Sequence, residues 1–162
     1  MAANIRFATE ADIPVILEFI HALAAYENME DQVIVTPELL KEWVFQKKKA
    51  EVFLVSEDEK PVGFALFFHN FSTWLGRAGI YLEDLFVLPE YRGKDYGKLL
   101  LKRLARLALQ RGCGRLEWAC LDWNTPSRKF YDSLGAVRME EWTTYRLTGD
   151  ALLSLASNIS LK

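Results

Sequence analysis

Val87-Leu88-Pro89-Glu90-Tyr91-Arg92-Gly93-Lys94-Asp95-Tyr96-Gly97-Lys98-Leu99 is the stretch on which the reading of this chain turns. It joins a strand to a helix through a glycine-containing loop flanked by arginine and lysine. Such a turn aims backbone N–H groups outward from a helix N-terminus, where the macrodipole favours an anion. Lys94 and Lys98 would add positive charge beside a pyrophosphate. A Walker loop is excluded because no Gly-Lys-Ser/Thr follows the glycines, and the pattern is not Gly-x-Gly-x-x-Gly either. Taken alone, the segment reads equally well as a structural turn.

Working outward, the helix opening near Gly97 carries Leu100, Leu101, Leu104, Leu107 and Ala108 as an apolar stripe, and Gly112 ends it. Upstream, Gly79 to Val87 reads as a strand. Before it, Glu51-Val52-Phe53-Leu54-Val55 and Val62 to Phe68 read as a hairpin whose loop, from Glu57 to Pro61, is about five residues long. At the start, Asn4 to Thr9 alternates polar and apolar as a half-buried strand does. Thr9 then caps a helix with Asp12 three residues on. That helix buries Ile13, Ile16, Leu17, Ile20, Leu23 and Ala24 and runs out near Tyr26-Glu27-Asn28. Thr36-Pro37-Glu38 opens a second helix that ends at Lys47 to Lys49. Downstream follow a strand from Arg115 to Leu121, a short helix capped by Asn124 and stopped by Gly135, a strand from Trp142 to Leu147, and a small C-terminal helix. With no repeat or linker, the order predicts one α/β domain with a mixed sheet.

Composition agrees. The 162 residues carry 20 Lys+Arg against 22 Asp+Glu, a net charge of −2, with 51% hydrophobic and 26% charged residues. That balance fits a globular domain and argues against a wholesale binder of nucleic acid or anionic membrane. No stretch approaches the roughly 20 apolar residues that cross a bilayer. Arg6, Glu10 and Asp12 precede any long apolar run, so no signal peptide is expected, and a cytoplasmic location is. Cys113 and Cys120 form no Cys-x-x-Cys pattern, and with only His21 and His69 beside them no metal site is expected.

The small total conceals an asymmetry. Residues 1–60 hold twelve acids against six bases, a balance of −6, whereas Tyr91 to Gly112 holds seven bases against one acid, a balance of +6. An acidic mouth suits a cationic amine, and a basic loop suits a phosphate. A nucleic-acid-binding use of the basic helix is disfavoured, because aromatics do not interleave with its charges and half its face is leucine.

Tyr91-Arg92-Gly93-Lys94-Asp95-Tyr96-Gly97 resembles the acetyl-CoA pyrophosphate loop of the GNAT superfamily, Arg/Gln-x-x-Gly-x-Gly/Ala. Tyr81 to Val87 matches the strand that leads into it. Three further blocks resemble the spermidine/spermine and thialysine N-acetyltransferases: Leu23 to Glu27 with Asp31-Gln32-Val33, Ser72 to Arg77, and Leu121-Asp122-Trp123-Asn124. The likeness runs from Ile5 to about Gly149. It implies a single GNAT-like domain over residues 1–162, with a mixed, mostly antiparallel sheet, flanking helices and a splayed pair of parallel strands. It also implies direct acetyl transfer from acetyl-CoA to a primary amine of a polyamine, diamine or thialysine-like substrate, by a homodimer without a metal. A non-catalytic acyl-CoA-binding module of the same fold is the alternative. One departure stands out: Asp95 occupies the central glycine of the pattern. Aspartate tolerates the left-handed backbone better than most residues, but its carboxylate would stand close to a pyrophosphate.

By the same resemblance, Glu83 is the base or amine anchor and Tyr131 the acid for the departing thiolate. Strand alternation sends Asp84 to the opposite face from Glu83. Tyr26 and Glu27 match substrate-lining positions. Leu85, Phe86 and Val87 would lie along the pantetheine arm, with backbone pairing at Leu85 and Val87. Arg92, Gly93, Lys94, Asp95, Tyr96, Gly97 and Lys98 would hold the pyrophosphate. Asn124 and Ser127 cap the helix of Tyr131 and help hold the CoA arm.

Overall fold

The computed structural model describes residues 2–157; residue 1 and residues 158–162 of the expected domain lie outside the described residues. The chain divides into two compact units, Met1–Ala119 and Cys120–Lys162.

The first unit is built on five strands in the order β1-β2-β3-β4-β5: β1 (Ala3–Phe7), β2 (Glu51–Glu57), β3 (Lys60–Ser72), β4 (Arg77–Val87) and β5 (Leu116–Trp118). Neighbours are antiparallel except β4 and β5, which run parallel through Ile80–Leu116, Tyr81–Glu117 and Leu82–Trp118. The expected mixed sheet is therefore present. The parallel ladder stops at Leu82, although β4 continues to Val87. The last five residues of β4 thus make no bond to β5, as a splayed pair requires.

Helices cover both faces. On one, Ile13, Ile16 and Phe19 of α1 (Ile13–Tyr26) pack with Leu40 of α2 (Pro37–Leu40) and Val44 of the π-helical turn that continues it. They meet Val52 and Leu54 of β2, Phe64 of β3 and Phe86 of β4. Residue Phe53, between Val52 and Leu54, faces the other way, where Arg103 of α3 (Tyr96–Gln110) lies 4.7 Å from its ring. Ile16, Phe19, Leu54, Phe64 and Leu100 have almost no exposure, each contributing about 2 kcal/mol of burial, so packing rather than local propensity holds the helices. The stripe of α3 is buried as its spacing predicts, and Gly112, at φ 70°, ends the helix with the Cys113 N–H returning to the Ala108 carbonyl.

The chain enters α1 through a fork. Arg6 of β1 donates to both oxygens of Asp12 at 2.7 and 2.8 Å, and Asp12 accepts the Thr9 N–H at 2.7 Å, which completes the expected capping box.

Three local readings change. The β2–β3 loop is a two-residue turn, because Asp58 and Glu59 both take positive φ, 46° and 69°, and supply the twist of a primed turn without glycine. The strand expected over Arg115 to Leu121 is confined to Leu116–Trp118. The segment 142–147 is irregular rather than a strand. Trp142, Tyr145 and Leu147 are exposed there, and the described residues of the second unit contain no strand to take its backbone bonds. Its described residues hold α4 (Thr125–Ser133) and α5 (Gly149–Ser157), joined by irregular chain.

Candidate active site

The geometry of the site begins with a fault in the β3–β4 ladder. Leu66 pairs with Asp84 and Phe67 with Leu82, so Glu83 has no residue opposite it. That is a β-bulge, and it breaks the alternation that would have separated Glu83 from Asp84. Glu83 is exposed and Asp84 half-buried. Burial, then the charges of Glu83 and Glu27, push the Asp84 carboxyl up to about 6. Burial also raises Glu27, the residue that ends α1. Three carboxylates from two elements therefore share one field. Two of them, Glu27 and Glu83, are legible from the sequence; Asp84 is not. The signal for it was an acidic pair inside an apolar strand, which a flat strand accommodates poorly and a bulge accommodates well.

The loop expected to hold a phosphate lies beyond the end of β4. A 3-10 turn, Pro89–Tyr91, leads to Gly93 at φ 79° and Asp95 at φ 66°, ψ 14°. Asp95 thus adopts the left-handed conformation that the resemblance assigns to a glycine. Its carbonyl accepts the Leu99 N–H at 2.9 Å, and no side chain caps the first turn of α3. Gly97 has open space where a Cβ would stand. Arg92 donates Nε to the Val87 carbonyl at 3.0 Å, with its guanidinium carbon 4.9 Å from the Tyr26 ring and 5.6 Å from that of Phe86. One acceptor position of Val87 is therefore engaged by Arg92, and Tyr26 faces that guanidinium. Lys98 stands in the first turn of α3. Lys94, expected beside a pyrophosphate, turns instead to Glu57 at 3.0 Å.

In the second unit, Asn124 is buried and caps α4, its Oδ1 accepting the Ser127 N–H at 3.4 Å. Tyr131 stands one turn after Ser127 on the same helix face, its ring 5.5 Å from Phe130. Among the described residues no group of three or more His, Cys, Asp or Glu side chains could hold a metal ion, and no helix is long and apolar enough to cross a membrane.

The mixed sheet thus parts its parallel pair at a bulged strand, and a left-handed loop and a helix start without a side-chain cap follow it. The chain belongs to the Acetyltransferase (GNAT) family, whose profile matches residues 17–136, and it is an N-acetyltransferase. A thialysine N-epsilon-acetyltransferase of Bos taurus is 40% identical over 94% of this chain and 96% of that protein. An L-ornithine N5-acetyltransferase, NATA1, of Arabidopsis thaliana is 31% identical over 96% of this chain and 88% of that protein. Among solved structures, the integron cassette protein VCH_CASS6 of V. cholerae superimposes with a TM-score of 0.80 at 30% identity, covering 96% of this chain and 98% of that one.

Proposed function

We propose that the chain transfers the acetyl group of acetyl-CoA directly to a primary amine of a small cationic substrate of the thialysine, ornithine or polyamine kind. The observation that carries this reading is the group of Glu27, Glu83 and Asp84 at the β4 bulge, a negative field suited to an ammonium. The names of the relatives support it, since thialysine and ornithine both carry a primary amine beside other charged groups.

The loop residues fit the co-substrate. Arg92 is held by its Nε, the first turn of α3 is uncapped, and β4 beyond Glu83 is unpaired on its β5 side. Acetyl-CoA supplies the acetyl group as an activated thioester. Glu83 accepts a proton from the ammonium, directly or through water, which frees the nitrogen lone pair to attack the thioester carbon. As the N–C bond forms and the C–S bond breaks, the Tyr131 hydroxyl gives its proton to the departing sulfur. Asp84 and Glu27 hold the remaining positive charge of the substrate. This reading takes residues 1–162 as one working domain, in the cytoplasm and as a homodimer. Exposed Phe71, Trp74 and Leu75 at the β3–β4 hairpin support the last point, being apolar surface that a second copy would cover.

The test is thiol release from acetyl-CoA against thialysine, ornithine, lysine, spermidine, putrescine and N-terminal peptides. Turnover is expected with the small cationic amines and not with peptides. Tight acetyl-CoA binding with no release on any amine would replace this reading with the non-catalytic module.

A further inference from the structure

Glu57 ends β2, outside the machinery described above, and it is buried. A buried carboxylate needs partners to offset its lost hydration. It has two, and both come from the phosphate loop: its Oε1 accepts from Lys94 Nζ at 3.0 Å and from Tyr96 Oη at 2.5 Å. These residues flank Asp95, so one oxygen atom restrains the loop immediately before and immediately after its left-handed residue. The anchor itself is stiff. Glu57 pairs with Lys60 across the two-residue turn, and Asp58 exchanges bonds with Ala2, donating its N–H to the Ala2 carbonyl at 3.1 Å and accepting the Ala2 N–H at 3.3 Å.

We infer that Glu57 is a positioning residue for the phosphate loop: by holding Lys94 and Tyr96 it keeps Asp95 in the left-handed backbone that acetyl-CoA binding requires. A glycine at this place would enter that region freely, whereas an L residue enters it at a cost. The clamp compensates for the missing glycine. It also explains why Lys94 turns from the pyrophosphate side, leaving Arg92 and Lys98 as the cations of the loop. The Tyr96 bond, then the Lys94 bond, hold the Glu57 carboxyl below the ordinary carboxylate range, and the Tyr96 phenol is pushed up to about 12 by the same contact. Anion and neutral phenol therefore coexist throughout the working pH range.

This inference rests on the acetyl-CoA reading above, and the test separates the two. Acetyl-CoA dissociation constants are measured by calorimetry, with kcat and KM, for the unaltered chain, Glu57→Ala, Glu57→Gln and Tyr96→Phe. Each is then repeated in the Asp95→Gly background. Tyr96→Phe keeps the buried ring, so it reports on the hydroxyl even where Glu57→Ala folds poorly. Glu57→Ala and Tyr96→Phe are expected to weaken acetyl-CoA binding roughly tenfold, the scale of one charge-assisted hydrogen bond, with kcat within about twofold. Glu57→Gln, whose amide oxygen still accepts the hydrogen bond from the phenol, should recover part of that loss. Asp95→Gly alone should tighten binding, and in its background the other changes should cost about twofold or less, since glycine needs no clamp. Equal losses in both backgrounds, or a fall in kcat at unchanged acetyl-CoA affinity, would overturn the positioning role. Unmoved variants beside a normally binding parent would overturn it alone. No binding by the parent would overturn the cofactor reading and this inference together.

Discussion

Asp84 shows how much one residue's surroundings decide. A carboxyl with an ordinary value of 3.8 stands at about 6, from burial first and then from Glu83 and Glu27. Its folded value is raised, so ionisation is disfavoured in the fold, and stability attributable to Asp84 declines as pH rises from 3.8 to about 6. A cationic substrate reverses that preference. The KM for the amine is therefore expected to fall as pH rises through about 6, and Asp84→Asn should flatten the profile while stabilising the free protein at neutral pH. A profile unchanged by Asp84→Asn would remove this carboxylate from substrate binding. Tyr131 belongs to the same scale. If it protonates the leaving sulfur, Tyr131→Phe lowers kcat on the order of a hundredfold with little change in acetyl-CoA affinity, whereas kcat within about twofold would exclude the acid role.

At the scale of elements, the Arg6–Asp12 fork joins β1 to the start of α1. The side-chain bond from Arg6 holds Asp12 at about 2, below its ordinary 3.8. The folded value is lowered, so the stabilisation is present above 3.8 and is lost as pH falls from there to about 2. Chemical denaturation between pH 2 and pH 5 should show this loss, and Asp12→Asn should make the dependence shallower. Periodicity made most elements legible: the stripes of α1 and α3 and the strands β2 to β4 appear where spacing puts them. What it left out were features created by partners distant in sequence. The turn at Asp58 and Glu59 is tight because β2 and β3 pair up to Glu57 and Lys60. Segment 142–147 is rich in aromatic and β-branched residues like a strand, but such a preference does not supply a neighbour, and its aromatic residues lie exposed. The bulge at Glu83 is silent in the sequence for the same reason, since only the register against β3 exposes the extra residue.

At the scale of the whole molecule, the charge asymmetry acquires a location. The acidic first sixty residues contribute Glu27 to the carboxylates around the β4 bulge, and the basic segment after Tyr91 contributes Arg92 and Lys98 to the loop and the first turn of α3. The same acidic segment contributes Glu57, which neutralises Lys94 rather than facing a substrate. The uneven distribution of charge, which the net total of −2 conceals, thus separates an acidic from a basic segment but does not disclose the contact between them, because Glu57 and Lys94 meet only through the fold. The acetyl group is expected to end on the amine of a small cation. Mass spectrometry of the products from acetyl-CoA with thialysine or ornithine tests it most directly. One acetyl group on the substrate, formed in step with free thiol and abolished by Glu83→Gln, is the predicted result. Free thiol with the amine left unmodified, or acetyl found on the protein instead, would exclude direct transfer to the amine.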